Sequence, residues 1–286
     1  MVERIVGVIG GSGLYEMEGL EDVQTISLTT PFGDPSDSFV IGRLEGVKIA
    51  FLPRHGRGHR IQPSSVNSRA NIYAMKMLGV QWTIGVSAVG SMKESIHPGD
   101  IVIPDQFIDR TVGRPNTFFS DGIVGHVSFA DPICPELSQI LYRSVKEVGA
   151  NVHRGGTYIC IEGPQFSTRA EARLYRSWGV DIIGMTNLPE ARLAREAEIC
   201  YATIAFATDY DCWHQEAGDV SIGEVLRILA QSTKIAKSAI RNAVKHLPEK
   251  RECICATALK HVLITGKKFI PEKTKKDLEP IIGKYL

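Results

Sequence analysis

The run Ile199–Thr208, ICYATIAFAT, is apolar or β-favouring at nearly every position. That is the pattern of a strand buried on both faces of a sheet, and such a strand needs a layer on either side of it. Immediately upstream, Pro189-Glu190 opens a run of good helix formers, with Asn187 placed to cap it. Immediately downstream stand Asp209-Tyr210-Asp211. Two carboxylates at i and i+2, past the carboxyl end of a buried strand, lie where open α/β sheets bind ligands. An Asp in that place also serves as an ordinary turn or cap residue, so the neighbouring features have to decide.

Other strand ends resemble this one. Ile5–Ile9 runs into Gly10-Gly11-Ser12-Gly13, which either brings backbone N–H groups close to an anion or makes a plain tight turn. It fits neither GxGxxG nor the Walker pattern. Ser38–Leu44 and Val47–Pro53, joined by Glu45-Gly46, read as a β-hairpin. The hairpin leads into Arg54-His55-Gly56-Arg57-Gly58-His59-Arg60, a basic glycine-containing loop suited to a small anion or to solvent. Asn67–Leu78 has helical character, and Trp82–Ser87 is a strand expected to end in the small-residue turn Ser87–Ser91. Ile101–Pro104 is a strand, Asp105–Pro132 a long aperiodic loop region, Pro135–Val148 a helix, Gly155–Ile161 a strand and Ala170–Trp178 a helix. Val180–Ile183 leads back to the helix and strand described first. Ser221-Ile222-Gly223-Glu224 fits the S-x-x-E capping box and starts a helix to about His246. Strand ends at 10–13, 54–60, 87–91 and 208–213 then line one rim of a single sheet, predicting a cleft there. No repeat or low-complexity linker divides the chain. The expected organisation is one domain over residues 1–250, with an extension at 251–286 that is helical and packed on it.

Lys plus Arg number 33 and Asp plus Glu 32, a net charge of +1 that offers no electrostatic case for nucleic acid or an anionic membrane. The apolar run near the N-terminus is too short for a signal-peptide core or a membrane span, so a soluble, cytoplasmic protein is expected. The six cysteines are scattered, with no disulfide framework and no paired CxxC zinc spacing. Cys253-Ile254-Cys255 is the only close pair, either a redox or stabilising pair or two unrelated residues.

Several stretches together resemble the trimeric purine nucleoside phosphorylases, and most closely their branch acting on 5′-methylthioadenosine. They are IGGSGLYEMEGL, PRHGRGHRIQPSSVNSRANI, GTYICIEGPQFSTRAE and MTNLPEARLAREAEICYATIAFATDYDCW, with the SIGEVL helix, and they span residue 5 to about 246. The resemblance implies a single-domain three-layer α/β fold with a mixed central sheet flanked by helices. It implies phosphorolysis of 5′-methylthioadenosine to adenine and 5-methylthioribose 1-phosphate, with phosphate as co-substrate and no metal or organic cofactor. By the same resemblance Ser12, Arg54, His55, Ser87, Ala88 and Thr186 hold phosphate and Met185 lies under the sugar. Phe166 would lie against the base, with Ser167, Asp209 and Asp211 at its polar edge. His59, Ile222, Val225 and Leu226 would form the methylthio pocket, with His126 supplied by a neighbouring subunit. Ile222, Val225 and Leu226 also fit ordinary helix core. The active unit would be a homotrimer, or a dimer of trimers. Some thermophilic relatives carry a CxC pair near the C-terminus, which admits a stabilising disulfide at Cys253 and Cys255.

Asp209 is the expected proton donor to N7 of the leaving base, with Asp211 orienting it and meeting N6. Two acidic residues, where the 6-oxopurine enzymes resembling this family have Asn, favour a 6-aminopurine. Three other readings stand beside this one: a phosphorylase broader toward adenosine or inosine, a hydrolase of the same bond, and a non-catalytic nucleoside binder. A hydrolase has no use for an anion site, and a periplasmic binder would need a signal peptide.

Overall fold

The computed structural model describes residues 3–214 and 221–286, without the side chains of Ser12, Tyr15, Glu224 and Leu229. β1 (Ile5–Gly10) is buried throughout and passes at Gly11 into a 3₁₀ turn over Ser12–Tyr15. β2 (Glu21–Ile26) follows as an exposed edge strand. β3 (Phe39–Leu44) and β4 (Val47–Pro53) form the expected antiparallel hairpin, with Leu44 opposite Val47. α1 (Ser68–Met77) is capped by Asn67, whose side chain accepts the Ala70 N–H. β5 (Trp82–Ser91), β6 (Ile101–Ile103) and β7 (Gln106–Arg110) come next, then α2 (Pro135–Glu147).

β8 (Val152–Arg154) and β9 (Thr157–Ile161) are separated by Gly155-Gly156, both at positive φ. α3 (Arg169–Ser177) carries a complete capping box from Thr168 and Glu171. β10 (Ile182–Gly184), α4 (Asn187–Glu196), β11 (Cys200–Asp209) and α5 (Ile222–His246) complete the main body. The tail carries three 3₁₀ turns and two short helices, α6 (Glu272–Asp277) and α7 (Glu279–Ile282), joined by irregular chain. Its Cys255, Leu259, Ile270, Leu278, Ile281 and Ile282 are buried in the same core as the central strands.

Four expectations need correction. Ser87–Ser91 is not a turn but the second half of β5: small side chains leave room around a strand without ending it. The loop region 105–132 holds β7, hydrogen-bonded along β9. A half-buried five-residue edge strand has too little apolar alternation to be legible. Asn187 does not cap α4. Its Oδ1 accepts the Thr186 hydroxyl, its amide nitrogen is buried without a partner, and Leu188 interrupts the helical backbone. Ser221 is at the N-cap of α5 but its side chain makes no capping bond, and Glu224, its expected partner, lies outside the described side chains.

The eleven strands form one mixed sheet, ordered β2-β3-β4-β1-β5-β10-β9-β7, with β11 on β5 and β6, and β8 on β6. β11 runs parallel along β5 from Cys200 opposite Trp82 to Asp209 opposite Gly90. The other edge of β5 is shared: β1 pairs with residues 82–85, and β10 pairs antiparallel with Gly90 and Ser91. Between these two contacts the sheet parts, and Val86–Val89 face the gap. This fork positions the site. α2 and α5 pack on each other and on β11, while α1 and α4 form a second pair against the sheet. Among the described residues no helix is long and apolar enough to cross a membrane.

Candidate active site

A cavity of about 570 Å³ opens at the fork in the sheet. β5 forms its floor with Val86–Gly90, the 54–59 loop and the turn after β1 form one end, and α5 forms a wall with Ile222, Val225 and Leu226. All the side chains expected to bind phosphate or nucleoside line it, except two. The side chain of Ser12 lies outside the described residues. His126 is exposed, hydrogen-bonded through its N–H to Val262, and is not among the lining residues of its own chain's cavity.

At the anion end, the Arg54 side chain is 3% exposed and faces Glu190, which is fully buried. Its Nε donates to Oε1 at 2.6 Å and its Nη2 to Oε2 at 3.0 Å. Nη2 also donates to Ile9 O, and Nη1 to Val86 O. A guanidinium has five N–H groups, so one on Nη1 remains for the cavity. Arg54, expected to hold phosphate, therefore commits its bidentate face to Glu190. Burial opposes the Arg54 charge, but the Glu190 pair outweighs it and holds the guanidinium firmly protonated. Tyr201 OH closes the network on Glu190 Oε2 at 2.9 Å.

His55 is stacked on His59 at 4.4 Å between ring centroids, and its Nδ1 bonds Ile61 O at 2.8 Å. Burial first, and then the Arg54 charge, push its pKa down to about 4, so the ring is neutral at pH 7. With the proton held on Nδ1 by a carbonyl, Nε2 is left as an acceptor. Ser87 Oγ is buried with no hydrogen-bond partner among the described residues, and Thr186 rests on Tyr158 OH. Arg57 and Arg60 pair with Asp37 instead of lining the cavity.

At the other end, Asp209 closes β11. Its Oδ1 accepts the Asp211 N–H at 2.8 Å and its Oδ2 the Thr208 hydroxyl at 2.7 Å. Asp211 stands in the left-handed region at φ 52°, and its Oδ2 accepts the Ser167 hydroxyl. Asp211 thus orients Asp209 through its main chain, while its carboxylate holds the turn to Ser167. Burial is the largest influence on both acids and raises both pKa values, against the lowering hydrogen bonds; the Asp209 charge raises Asp211 further. Gly90 makes the approach possible: a Cβ there would sit 3.0 Å from Asp209 Oδ1.

Sequence reading missed two supports. Glu190 reads as a helix-opening residue, and only the fold reveals its place under Arg54. Arg114, in the long loop region, donates to Ile161 O, Glu162 O, Met185 O and Leu188 O, tying two strand ends around the cavity.

One cleft of a mixed α/β sheet thus carries a basic, hydroxyl-bearing end and an acidic end. The chain belongs to the phosphorylase superfamily, whose model matches residues 5–245. It is 63% identical, over the whole of both chains, to the S-methyl-5′-thioadenosine phosphorylase of Geobacter sulfurreducens. It is 52% identical to the enzyme of that name from Hyperthermus butylicus, covering 92% of this chain and 97% of that one. Among solved structures it is similar to a methylthioadenosine phosphorylase from an antarctic soil metagenomic library. The TM-score is 0.94 at 48% identity, covering 98% of this chain and 99% of that one. The methylthioadenosine phosphorylase from Schistosoma mansoni in complex with adenine aligns with a TM-score of 0.81 at 39% identity, over 85% and 91% of the two chains.

Proposed function

We propose that this chain catalyses the reversible phosphorolysis of S-methyl-5′-thioadenosine to adenine and 5-methylthio-α-D-ribose 1-phosphate. The observation that carries it is the pairing, in one cavity, of an anion end built from Ser87, His55 and Arg54 with a purine end built from Asp209 and Asp211. Phosphate is the co-substrate, and the reading uses no metal or organic cofactor. Ser87 Oγ, without a partner among the described residues, and the spare Arg54 N–H meet phosphate oxygens. His55 Nε2, an acceptor, shares a proton with the phosphate. The anion stabilises the positive charge that develops on the sugar as the glycosidic bond breaks, then captures C1′. Electron density passes to the base, N7 gains basicity, and Asp209 delivers its proton there so that neutral adenine leaves. The raised pKa of Asp209 favours that proton. Met185 lies under the sugar, Phe166 flanks the base, and Ser167 and Asp211 support its amino edge.

His59, Ile222, Val225 and Leu226 make the wall for the methylthio group. Ile222 and Leu226 are 59% and 60% exposed, and Phe166 is 48% exposed, which leaves an apolar mouth. His126, exposed and away from its own chain's cavity, would reach that mouth from a second copy, and the active unit we propose is a homotrimer. The compartment we propose is the cytoplasm. Turnover of methylthioadenosine, adenosine and inosine, each with and without phosphate, tests the assignment. The expected order is methylthioadenosine fastest and inosine slowest, with no turnover in the absence of phosphate. Phosphate-independent cleavage would refute phosphorolysis, and equal rates on inosine would refute the base assignment. A Schistosoma mansoni relative named adenosine/methylthioadenosine phosphorylase makes adenosine the informative competitor.

A further inference from the structure

Cys134, Cys200, Cys253 and Cys255 are far apart in sequence, yet their four Sγ atoms all lie within 4.8 Å of one another. The cluster sits at the start of β11, at the end of that strand opposite Asp209, and no step of phosphorolysis uses it. We propose that these four thiolates form a closed structural zinc site that fastens the C-terminal tail to the sheet.

The geometry suits a tetrahedron. Zinc–sulfur bonds of about 2.3 Å place the sulfurs roughly 3.8 Å apart on all edges. One contact in the cluster, Cys200 Sγ to Cys253 Sγ, is 3.3 Å. A disulfide brings two sulfurs to about 2.05 Å and leaves the other pair out, whereas here all four lie within 4.8 Å of one another. Cys134, Cys200 and Cys255 are buried and Cys253 is half-buried, so no position is left open for substrate. Four soft sulfur donors without nitrogen or oxygen select zinc over magnesium or calcium.

Positive potential reaches two of the four sulfurs, while the Glu136 carboxylate lies beside Cys253. Cys134 is the N-cap residue of the thirteen-residue α2, whose first N–H groups and dipole favour negative charge. Arg251 donates to Gln81 O, the carbonyl that also accepts the Cys200 N–H, which sets a cation beside that strand end. The framework is pre-formed, since Cys134 N–H donates to Tyr201 O at 2.9 Å and so joins α2 to β11 next to Cys200. Binding exchanges four S–H bonds for four Zn–S bonds and releases four protons to solvent, with no change of oxidation state. Disulfides in the same place would need an oxidant.

Two ligands belong to the domain and two to the tail. The tail has a second anchor in buried Glu198, which accepts the Leu259 N–H and the Tyr285 hydroxyl. Zinc would therefore govern how firmly residues after 250 are held.

The test is metal and thiol content of the full chain, purified without chelator from zinc-supplemented cells. Elemental analysis and native mass spectrometry should give about one zinc per chain. In denaturant with chelator and no reductant, all six cysteines should titrate as free thiols. Cys200→Ser and Cys253→Ser should each lower zinc content at least several-fold, while Cys160→Ser retains it. Chelation should lower the melting temperature by several degrees. Chains without zinc, whether four thiols stay masked until reductant is added or all six are free, would overturn the proposal. The unsubstituted chain decides this even if a serine variant fails to fold. Phosphate-dependent turnover is a separate readout, so the zinc site and the enzymatic reading fail independently.

Discussion

At the residue scale, the cleft separates two kinds of acid–base group. Asp209 is held by Thr208 and the Asp211 N–H with its pKa raised, as a proton donor to a leaving base requires. Asp209→Asn keeps the shape but carries no transferable proton. Its kcat on methylthioadenosine should fall about 10²–10⁴-fold with little change in melting temperature; near-normal turnover would remove Asp209 from the chemistry. His55 behaves in the opposite sense, neutral because burial and Arg54 hold its pKa near 4. An Nε2 acceptor facing an anion must share a proton with it. At pH 8 phosphate arrives chiefly as the dianion, whose own O–H can donate to Nε2, so calorimetry of phosphate binding in buffers of different ionisation heat should show a nearly buffer-independent heat; uptake of about one proton by the complex would show that His55 becomes charged instead.

At the element scale, the loop after β4 is bound to α4 by one buried ion pair. Arg54 and Glu190 satisfy each other, and Tyr201 from β11 completes the set. Removing one member of such a pair strands the other in a dry site. Glu190→Ala should cost about 3–5 kcal/mol in denaturant unfolding and raise the KM for phosphate more than that for nucleoside. A variant of unchanged stability would show that the pair is incidental. β10 depends on a glycine in a comparable way: a Cβ at Gly184 would lie 2.1 Å from Tyr158 OH. Gly184→Ala must displace a fully buried ring, so a loss of roughly 1–3 kcal/mol is expected, together with weaker phosphate binding through Thr186. Wild-type values for both would contradict the packing.

At the scale of the whole molecule, stability responds to buried acids far from the cleft. Glu196 accepts from Thr117 Oγ1 and the Phe118 N–H, but burial outweighs these bonds and lifts its pKa to about 7 from 4.5. A carboxyl raised in the folded state binds its proton more tightly there than in the unfolded chain. Its contribution is complete below pH 4.5 and is lost as pH rises through 7, about 3 kcal/mol at most. His55 works the other way, costing stability as pH falls from 6.5 toward 4. Glu196→Gln removes the first effect, so between pH 5 and 8 the variant should lose less stability than the unsubstituted protein. Parallel stability curves for the two would show that Glu196 does not titrate in this range. Assembly belongs to this scale too. His126→Ala should raise the KM for methylthioadenosine several-fold with the KM for phosphate unchanged, if a neighbour's His126 completes the mouth; equal effects on both would place it elsewhere.

Local pattern was enough to read the buried strand 199–208, the 38–53 hairpin and the main helices, because burial on two faces and turn chemistry leave marks on adjacent residues, whereas most of the cavity lining was named only through the family resemblance. Arg54, His55, Ser87, Asp209 and Asp211 stood out as types and positions, Thr186 was added by the resemblance, and all of them line one cavity. What only the tertiary structure decided is which atoms meet. Ser87–Gly90 reads as a turn until β1 and β10 are seen to share one edge of β5 and leave the middle open. Arg54 reads as a phosphate clamp until Glu190, 136 residues away, is found holding its fork. Cysteines at 134, 200, 253 and 255 show no metal spacing, because their common point is made by a helix start, a strand start and a returning tail. Sequence spacing reports neighbours along the chain, whereas ion pairs, sheet edges and ligand clusters depend on distances set by packing.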